Sequence, residues 1–170
     1  KNDLYSQNQI DFIDKYLNNL FKIVYESCEN GKYYKFDENY DLVDYDDTPA
    51  EEAVSNVMDI DSVRDMYILY EIVHDYDCGE GSFYMCVDLS KDSKCPKLKC
   101  TSPWDFNWAY NDSTEKYYAG AFTDKNFVAK NGDRSNPWFI VLCKQDWFMA
   151  TAKEKWTEMS QEKLLQGCIK

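Results

Sequence analysis

The chain has 170 residues, of which 44% are hydrophobic, and a formal net charge of -12. This is enough apolar material for one core, so a single domain is expected. The acidic balance argues against nucleic acid and anionic membranes as partners, because phosphate binding requires a basic face. No apolar run reaches the roughly 18 residues that a membrane span needs.

The cysteines favour an oxidising compartment, because seven of them occur in an acidic chain that is rich in tyrosine. The spacings Cys78/Cys86 and Cys95/Cys100 differ from the C-x-x-C pairs of zinc sites, and the single His74 makes zinc a poor fit. We therefore expect local disulfides that pin two loops, and a secreted or cell-surface protein.

The first predicted element is an amphipathic helix over residues 7 to 27. Ser6-x-x-Gln9 matches a capping box, and Asn30-Gly31 is a helix stop signal. Between them, apolar residues recur at helical spacing. The residues expected on the buried face are Ile10, Ile13, Leu17, Leu20, Phe21 and Val24.

Residues 32 to 50 are acidic and rich in tyrosine, and they are predicted to form a long irregular segment that ends at Pro49. Within it, "DENYDLVDYDD" (37 to 47) is typical of a solvated loop. A second helix is predicted to begin near Asp59 or Asp61, either of which can act as N-cap. Its apolar residues cover almost its whole circumference, which indicates a helix that runs through the core.

The second half of the chain predicts a hairpin followed by two helices. Residues 82 to 89 and 97 to 101 are strand-like and are joined by a polar turn. Residues 111 to 136 lack periodicity and are expected to be loop, with a short element around 122 to 128. Asn136-Pro137 opens a helix, and a further helix runs from 145 to 159 after a break near Asp146. The predicted fold class is α+β, predominantly helical.

Two acids flank the predicted hairpin, Asp77 before it and Asp105 after it. Because a hairpin doubles the chain back, its outer ends lie side by side, so both acids can face one site. Phosphoryl transfer uses such a pair: one acid accepts the proton of the attacking hydroxyl, and the other holds a metal on the nucleotide phosphates. Protein kinases have these groups in this order. Each acid taken alone also fits an Asx-turn or a helix cap.

Three segments carry a family resemblance. "MYILYEIVHDYDCGEGSFYMCVD" followed by "WDFNWAY", and then "NPWFIVLCKQDWFMATAKEKWTEM", resemble the second half of the spore coat protein H (CotH) kinase family. The similarity runs from roughly residue 57 to residue 160. It implies the C-terminal lobe of an atypical protein-kinase-like fold, with a small hairpin between the catalytic and metal-binding loops, and phosphate transfer from ATP with Mg²⁺ or Mn²⁺.

By this resemblance, Asp77 matches the catalytic base and Asp105 the metal ligand. Asp75, Ser82 and Asn107 match cofactor-binding positions. Ser82 replaces the Asn that classical kinases use for the second metal, and Asn107 stands where the family often has Asp. Asn still offers a carbonyl oxygen to a metal, but without charge. The three aromatics expected to pack around Asp105 and to fix its direction are Trp104, Phe106 and Trp108.

Nothing in the chain resembles the nucleotide-embracing front lobe of the family. We therefore expect residues 1–170 to be one domain, the C-terminal part of a CotH-like kinase domain whose missing N-terminal half is its partner. The other expected partner is a protein substrate or a surface protein. Two alternatives stay open. One is a non-catalytic surface, adhesion or cellulosome-associated module, and the other is a carbohydrate-active or carbohydrate-binding domain, prompted by the 14 tyrosines and 5 tryptophans.

Overall fold

The computed structural model describes residues 5–73, 81–107, 109, 136–161 and 167. The chain forms two compact units, Lys1–Val57 and Met58–Lys170. Within the described residues, no helix is long and apolar enough to span a membrane.

The first unit begins with α1 (Gln7–Tyr25), which continues into one π-helical turn at Glu26–Asn30. The predicted capping box is present: the Ser6 backbone N–H donates to Gln9 Oε1 at 2.8 Å, and the Ser6 side chain accepts from the Gln9 backbone. The helical segment ends at Gly31, whose φ of 61° lies in the left-handed region. Both ends of the predicted helix are confirmed.

The buried face of α1 is only partly the predicted one. Leu20 and Val24 are fully buried, as expected. The prediction was wrong for three residues of the first half, since Ile10, Ile13 and Leu17 are 49%, 46% and 41% exposed. The reason is an aromatic cluster that turns a different face of α1 inward. Its members, with ring centroids 5.4–6.2 Å apart, are Phe12, Tyr16, Phe36 and Tyr40.

Residues 32 to 50 were predicted to be irregular, and this was wrong, because they contain a hairpin. Strands β1 (Tyr34–Phe36) and β2 (Leu42–Asp44) pair antiparallel, with Tyr34 opposite Asp44. The Asp37 carboxylate closes the turn by accepting the backbone N–H groups of Asn39 and Asp41, both at 2.8 Å. The hairpin thus depends on turn hydrogen bonds and aromatic packing. Its strands are too short to show an alternation of apolar and polar residues, so the sequence did not predict them.

Helix α2 (Ala50–Val57) completes the first unit and was also missed by the sequence. It begins immediately after Pro49, and it buries Ala53, Val54 and Val57. Most acids of the run 37–47 are exposed, which agrees with the solvated character that the sequence predicts.

The second unit is organised around α3 (Ile60–Val73). The helix begins where predicted, with Asp59 Oδ1 accepting the Ser62 backbone N–H at 3.3 Å. It is not buried all round, since Ile72 and Val73 near its end are only half-buried. Its buried residues are Val63, Met66, Tyr67, Ile68 and Tyr70.

The predicted second hairpin is confirmed. Strands β3 (Tyr84–Cys86) and β4 (Lys99–Thr101) pair antiparallel, with Tyr84 opposite Thr101. The Cys100 backbone N–H donates to Ser62 Oγ at 3.1 Å, which attaches β4 to the first turn of α3. Just before β4, the Leu98 carbonyl accepts the Asp59 backbone N–H at 2.9 Å. The hairpin is therefore held against the start of α3.

The two closing helices are also confirmed, as α4 (Pro137–Leu142) and α5 (Asp146–Gln161) with a break between them. Asn136 caps α4: its side-chain oxygen accepts the backbone N–H groups of Trp138 at 3.0 Å and Phe139 at 3.2 Å. The short element expected at 122 to 128 lies outside the described residues, as does most of the loop that surrounds it. Residues 74 to 80, where the second predicted helix was expected to stop, also lie outside them.

No disulfide joins Cys95 and Cys100, because both are free thiols. Their side chains have different surroundings: Cys95 Sγ lies 3.9 Å from Asp59 Oδ2, whereas Cys100 is buried in β4. Burial, with a smaller contribution from the Asp59 carboxylate, raises the pKa of Cys100 to about 12. Cys86 is an exposed free thiol, and Cys78 lies outside the described residues.

Candidate functional site

The candidate site lies at the open end of the second hairpin. Because Tyr84 pairs with Thr101, the residues before β3 and after β4 leave the ladder at the same end. Ser82 is on one of these flanks, and Asp105 and Asn107 are on the other. The topology therefore brings together the two chain segments that the sequence analysis selected. Asp75 and Asp77, the two acids that precede the hairpin, lie outside the described residues.

Ser82 is held in an unusual backbone conformation. Its φ is 47°, in the left-handed region that a residue with a Cβ seldom adopts. Its carbonyl oxygen accepts a hydrogen bond from the Tyr70 hydroxyl of α3 at 3.5 Å, a long distance for such a bond. Ser82 itself is half-buried, so its side chain is only partly accessible.

The other flank has two more left-handed residues, Ser102 with a φ of 51° and Asp105 with a φ of 60°. Asp105 is exposed, and so is Asn107 in the turn that follows. In that turn the Ala109 backbone N–H donates to the Phe106 carbonyl at 3.1 Å. Left-handed non-glycine residues of this kind occur disproportionately at functional sites, where the surrounding structure maintains them.

The aromatic residues around Asp105 do not all pack against the protein. Trp104 is 61% exposed, so the expectation that it fixes the direction of Asp105 was wrong. Phe106 does pack, with its ring 5.9 Å from that of Tyr70. The left-handed Asp105 between them turns the chain, which directs Phe106 inward and leaves Trp104 in solvent. Trp108 lies outside the described residues.

The donor atoms on the described flanks suit a hard cation. Asp105 has a carboxylate, Asn107 an amide carbonyl and Ser82 a hydroxyl, all of them oxygen ligands of the kind that Mg²⁺ takes. Among the described residues there is no group of three or more His, Cys, Asp and Glu side chains that could hold a metal ion. Mg²⁺ does not require one, since it binds through one or two carboxylates, substrate phosphates and retained water.

Tyr70 contacts both flanks of the candidate site, which the sequence did not predict. It was counted only as a residue on the apolar face of α3. In the structure its ring lies 6.2 Å from Phe83 and 5.9 Å from Phe106, and so contacts both flanks of the hairpin. The available signal was its chemistry, because a buried Tyr hydroxyl generally requires a hydrogen-bond partner.

The helices and the two small antiparallel sheets define a class, a predominantly helical α+β domain. The family model described as CotH kinase protein matches residues 13–169. The chain therefore belongs to the CotH kinase family. Comparison with curated proteins and with solved structures returned no match.

Proposed function

We propose that the chain acts as an atypical protein kinase, transferring the terminal phosphoryl group of ATP to a hydroxyl of a protein substrate with Mg²⁺ or Mn²⁺. The observation that carries the proposal is the open end of the second hairpin. There the segment with Ser82 and the segment with Asp105 leave the ladder together, and both pack on Tyr70. Kinases use the same order, with one acid before the hairpin and one after it.

In this proposal Asp77 accepts the proton of the attacking hydroxyl as that oxygen bonds to the γ-phosphorus. The bond between this phosphorus and the bridging oxygen breaks, and ADP leaves. Asp105 holds the metal, with Asn107 as a neutral oxygen ligand, and Asp75 and Ser82 complete the contacts to the cofactor. The metal, when bound, neutralises charge on the phosphates.

The decisive variant is Asp105→Asn. Asn tolerates the left-handed backbone that Asp105 adopts, so the substitution removes the charge without adding strain. Asp92→Asn is the matched control, because Asp92 is an exposed acid in the connection between β3 and β4. The full-length protein and each variant are incubated with γ-labelled ATP and Mg²⁺ or Mn²⁺, with casein as acceptor, and incorporated label is counted.

We expect Asp105→Asn and Asp77→Asn each to lower incorporation by a factor of about 100 or more, the range for loss of a charge-stabilising or proton-accepting group. Asp92→Asn should remain within about twofold of the wild type, since an isolated exposed acid contributes little. Incorporation that survives Asp105→Asn contradicts the metal role. A wild type that binds ATP and Mn²⁺ but transfers no phosphate to casein or to itself contradicts kinase activity.

We also propose that the protein is secreted or displayed at the cell surface. The acidic, tyrosine-rich composition supports this location. An epitope-tagged protein expressed in its own cells should be recovered from the medium or from protease-accessible surface material. Recovery from the cytosol alone contradicts the proposal.

A further inference from the structure

Tyr70 lies between the two flanks of the candidate site. It projects from α3, where it is 1% exposed. Its ring contacts Phe83, which directly follows Ser82, at a centroid distance of 6.2 Å. It also contacts Phe106, which directly follows Asp105, at 5.9 Å. One side chain therefore adjoins the neighbours of both candidate residues.

The Tyr70 hydroxyl adds a polar contact to one flank. It donates to the Ser82 carbonyl at 3.5 Å, at a residue whose backbone is left-handed. A left-handed residue persists only where its surroundings hold it, and this contact is part of that support. The two flanks are thus held differently, one by a ring contact and a hydrogen bond, the other by a ring contact.

The ring of Tyr70 also packs against a buried aromatic ring of α4. Phe139 of α4 is fully buried and lies 6.3 Å from Tyr70 and 5.7 Å from Phe83. Tyr67, one turn earlier in α3, packs on the same Phe139 at 5.4 Å. Such a close-packed group transmits a displacement instead of absorbing it.

We propose that Tyr70 is a positioning residue for phosphoryl transfer, which sets the separation between the Ser82 segment and the Asp105 segment. This inference rests on the proposed kinase function. Tyr70 is buried beneath the site and acts through Phe83, Phe106 and the Ser82 carbonyl. Its loss should displace the groups that orient the phosphates while leaving recognition of the protein substrate unchanged, so kcat falls and KM for that substrate does not.

The test compares Tyr70→Phe, Tyr70→Leu and a matched control, Tyr67→Phe, in the full-length protein. Tyr67 is equally buried in the same helix and donates its hydroxyl to Glu71. Three properties are measured: kcat and KM for casein phosphorylation, affinity for Mn²⁺ alone, and hydrogen exchange of the amides at 82–84 and 104–107. The exchange measurement does not depend on catalysis.

Tyr70→Leu should accelerate exchange at both flanks, weaken Mn²⁺ binding and lower kcat by about 10- to 100-fold at constant KM, as expected for a misplacement of about 1 Å. Tyr70→Phe keeps the ring, so it should accelerate exchange only at 82–84 and lower kcat a few-fold. Tyr67→Phe should leave all three properties near wild type. If Tyr67→Phe changes exchange, Mn²⁺ affinity and kcat as much as Tyr70→Phe does, the effect is general destabilisation and the positioning role is wrong.

The outcomes separate this inference from the proposed function. If the wild type transfers no phosphoryl group, the proposed kinase function is wrong, and so is the role of Tyr70 in catalysis. Faster exchange at both flanks in Tyr70→Leu would then still show that Tyr70 links the two flanks. An active wild type in which Tyr70→Leu changes exchange at one flank only, or lowers stability without changing kcat, overturns the positioning role while the kinase function stands.

Discussion

The two hairpins have the same strand lengths but differ in where their backbone strain lies. In the first, β1–β2, the left-handed residue Tyr40 is inside the turn, where the Asp37 hydrogen bonds account for its conformation, and a second left-handed residue, Asp47, follows β2. In the second, β3–β4, the left-handed residues Ser82, Ser102 and Asp105 lie outside the strands, at the open end. One left-handed residue therefore follows the strands at the open end of the first hairpin, whereas three flank the open end of the second.

Their surroundings differ in the same way. The first hairpin packs through Phe36 and Tyr40 against α1, in a cluster that includes the partly exposed Phe12. The second packs through Phe83 on Tyr70 and the fully buried Phe139. Its strained end therefore stands on a rigid, buried base. This combination of local strain and firm support is expected where the geometry of a site must be maintained.

The largest expected effect tests that base. Phe139→Ala should lower the free energy of unfolding by about 3–5 kcal/mol, because it removes a fully buried aromatic ring and leaves a cavity. Phe12→Ala, in the cluster of the first hairpin, should lower it by about 1 kcal/mol, since Phe12 is 39% exposed. Urea unfolding of both variants gives the comparison. Equal losses would show that the two hairpins are supported alike.

The same substitution should have opposite effects at Tyr40 and Asp105, two of the left-handed positions. Tyr40→Gly should lower stability by about 2 kcal/mol, because the lost contacts with Phe12, Tyr16 and Phe36 outweigh the strain relieved. Asp105→Gly should leave stability unchanged or raise it by up to about 1 kcal/mol, since the exposed side chain packs little and glycine accepts this φ.

Asp105→Ala is the control for that pair. It also removes the carboxylate, but its Cβ is poorly accommodated in the left-handed region, so it should be less stable than Asp105→Gly by about 1 kcal/mol. Thermal unfolding of the three variants at one pH provides the measurement. If Asp105→Gly is clearly less stable than Asp105→Ala, backbone strain at residue 105 does not determine how substitutions there change stability.

A smaller effect is expected at the turn of the first hairpin. Asp37→Ala should lower stability by about 1 kcal/mol, because the backbone N–H groups of Asn39 and Asp41 lose their acceptor. Asp37→Asn keeps a side-chain oxygen in place and should recover most of the loss. Chemical denaturation distinguishes the two variants, and a harmless Asp37→Ala would refute the claim that turn hydrogen bonds maintain this hairpin.

Substitution of Tyr16 should change the pH dependence of stability only above neutral pH. Burial, together with the neighbouring Tyr40, raises the pKa of Tyr16 from 10.0 to about 12. Folding therefore favours the protonated form: this contribution is complete below pH 10 and is lost as the pH rises toward 12. Tyr16→Phe cannot ionise, so its stability should fall less than that of the wild type between pH 10 and 12. Parallel curves over this range would contradict the assignment.

Cys100 supplies the corresponding group of the second hairpin. Its pKa is raised from 9.0 to about 12, first by burial and then by Asp59. By the same reasoning, its contribution is complete below pH 9 and disappears toward pH 12, and Cys100→Ala should remove it. The alkaline loss that depends on the second hairpin thus begins about one pH unit lower than the loss that depends on Tyr16. Burial, followed by Glu29, raises the pKa of Cys28 from 9.0 to about 12 as well, so the contribution of Cys100 is the difference between the stability curves of the wild type and Cys100→Ala.

The sequence predicted those parts of the fold that rest on local signals. The Ser6 capping box, the start of α4 at Asn136-Pro137 and the second hairpin were all predicted correctly. Caps and turns depend on residues close together in the sequence, so the sequence shows them directly. The first hairpin and α2 were missed, since strands of three residues give no readable alternation and a helix of eight gives little periodicity. The exposed Ile10, Ile13 and Leu17 show that an apolar stripe does not reveal which of its residues will find partners.

At the candidate site, the sequence predicted the arrangement of the flanks but not their support. The pairing of Tyr84 with Thr101 follows from a recognisable hairpin. The left-handed conformations of Ser82 and Asp105 depend on contacts between distant residues, and so does the link through Tyr70. The packing assigned to Trp104 was wrong for the same reason: adjacency to an acid does not determine which neighbour turns inward.

The backbone at Asp105 also restricts what evolution can do there. At a φ of 60°, glycine, asparagine and aspartate are the residues that fit with the least strain. Two of these three lack a charge, and an exposed position gives neither of them a packing penalty. A lineage released from selection for phosphoryl transfer would therefore drift to Asn or Gly while keeping its fold. At this proposed metal position, the residue found in related chains would distinguish proteins that keep the carboxylate from proteins that keep only the fold.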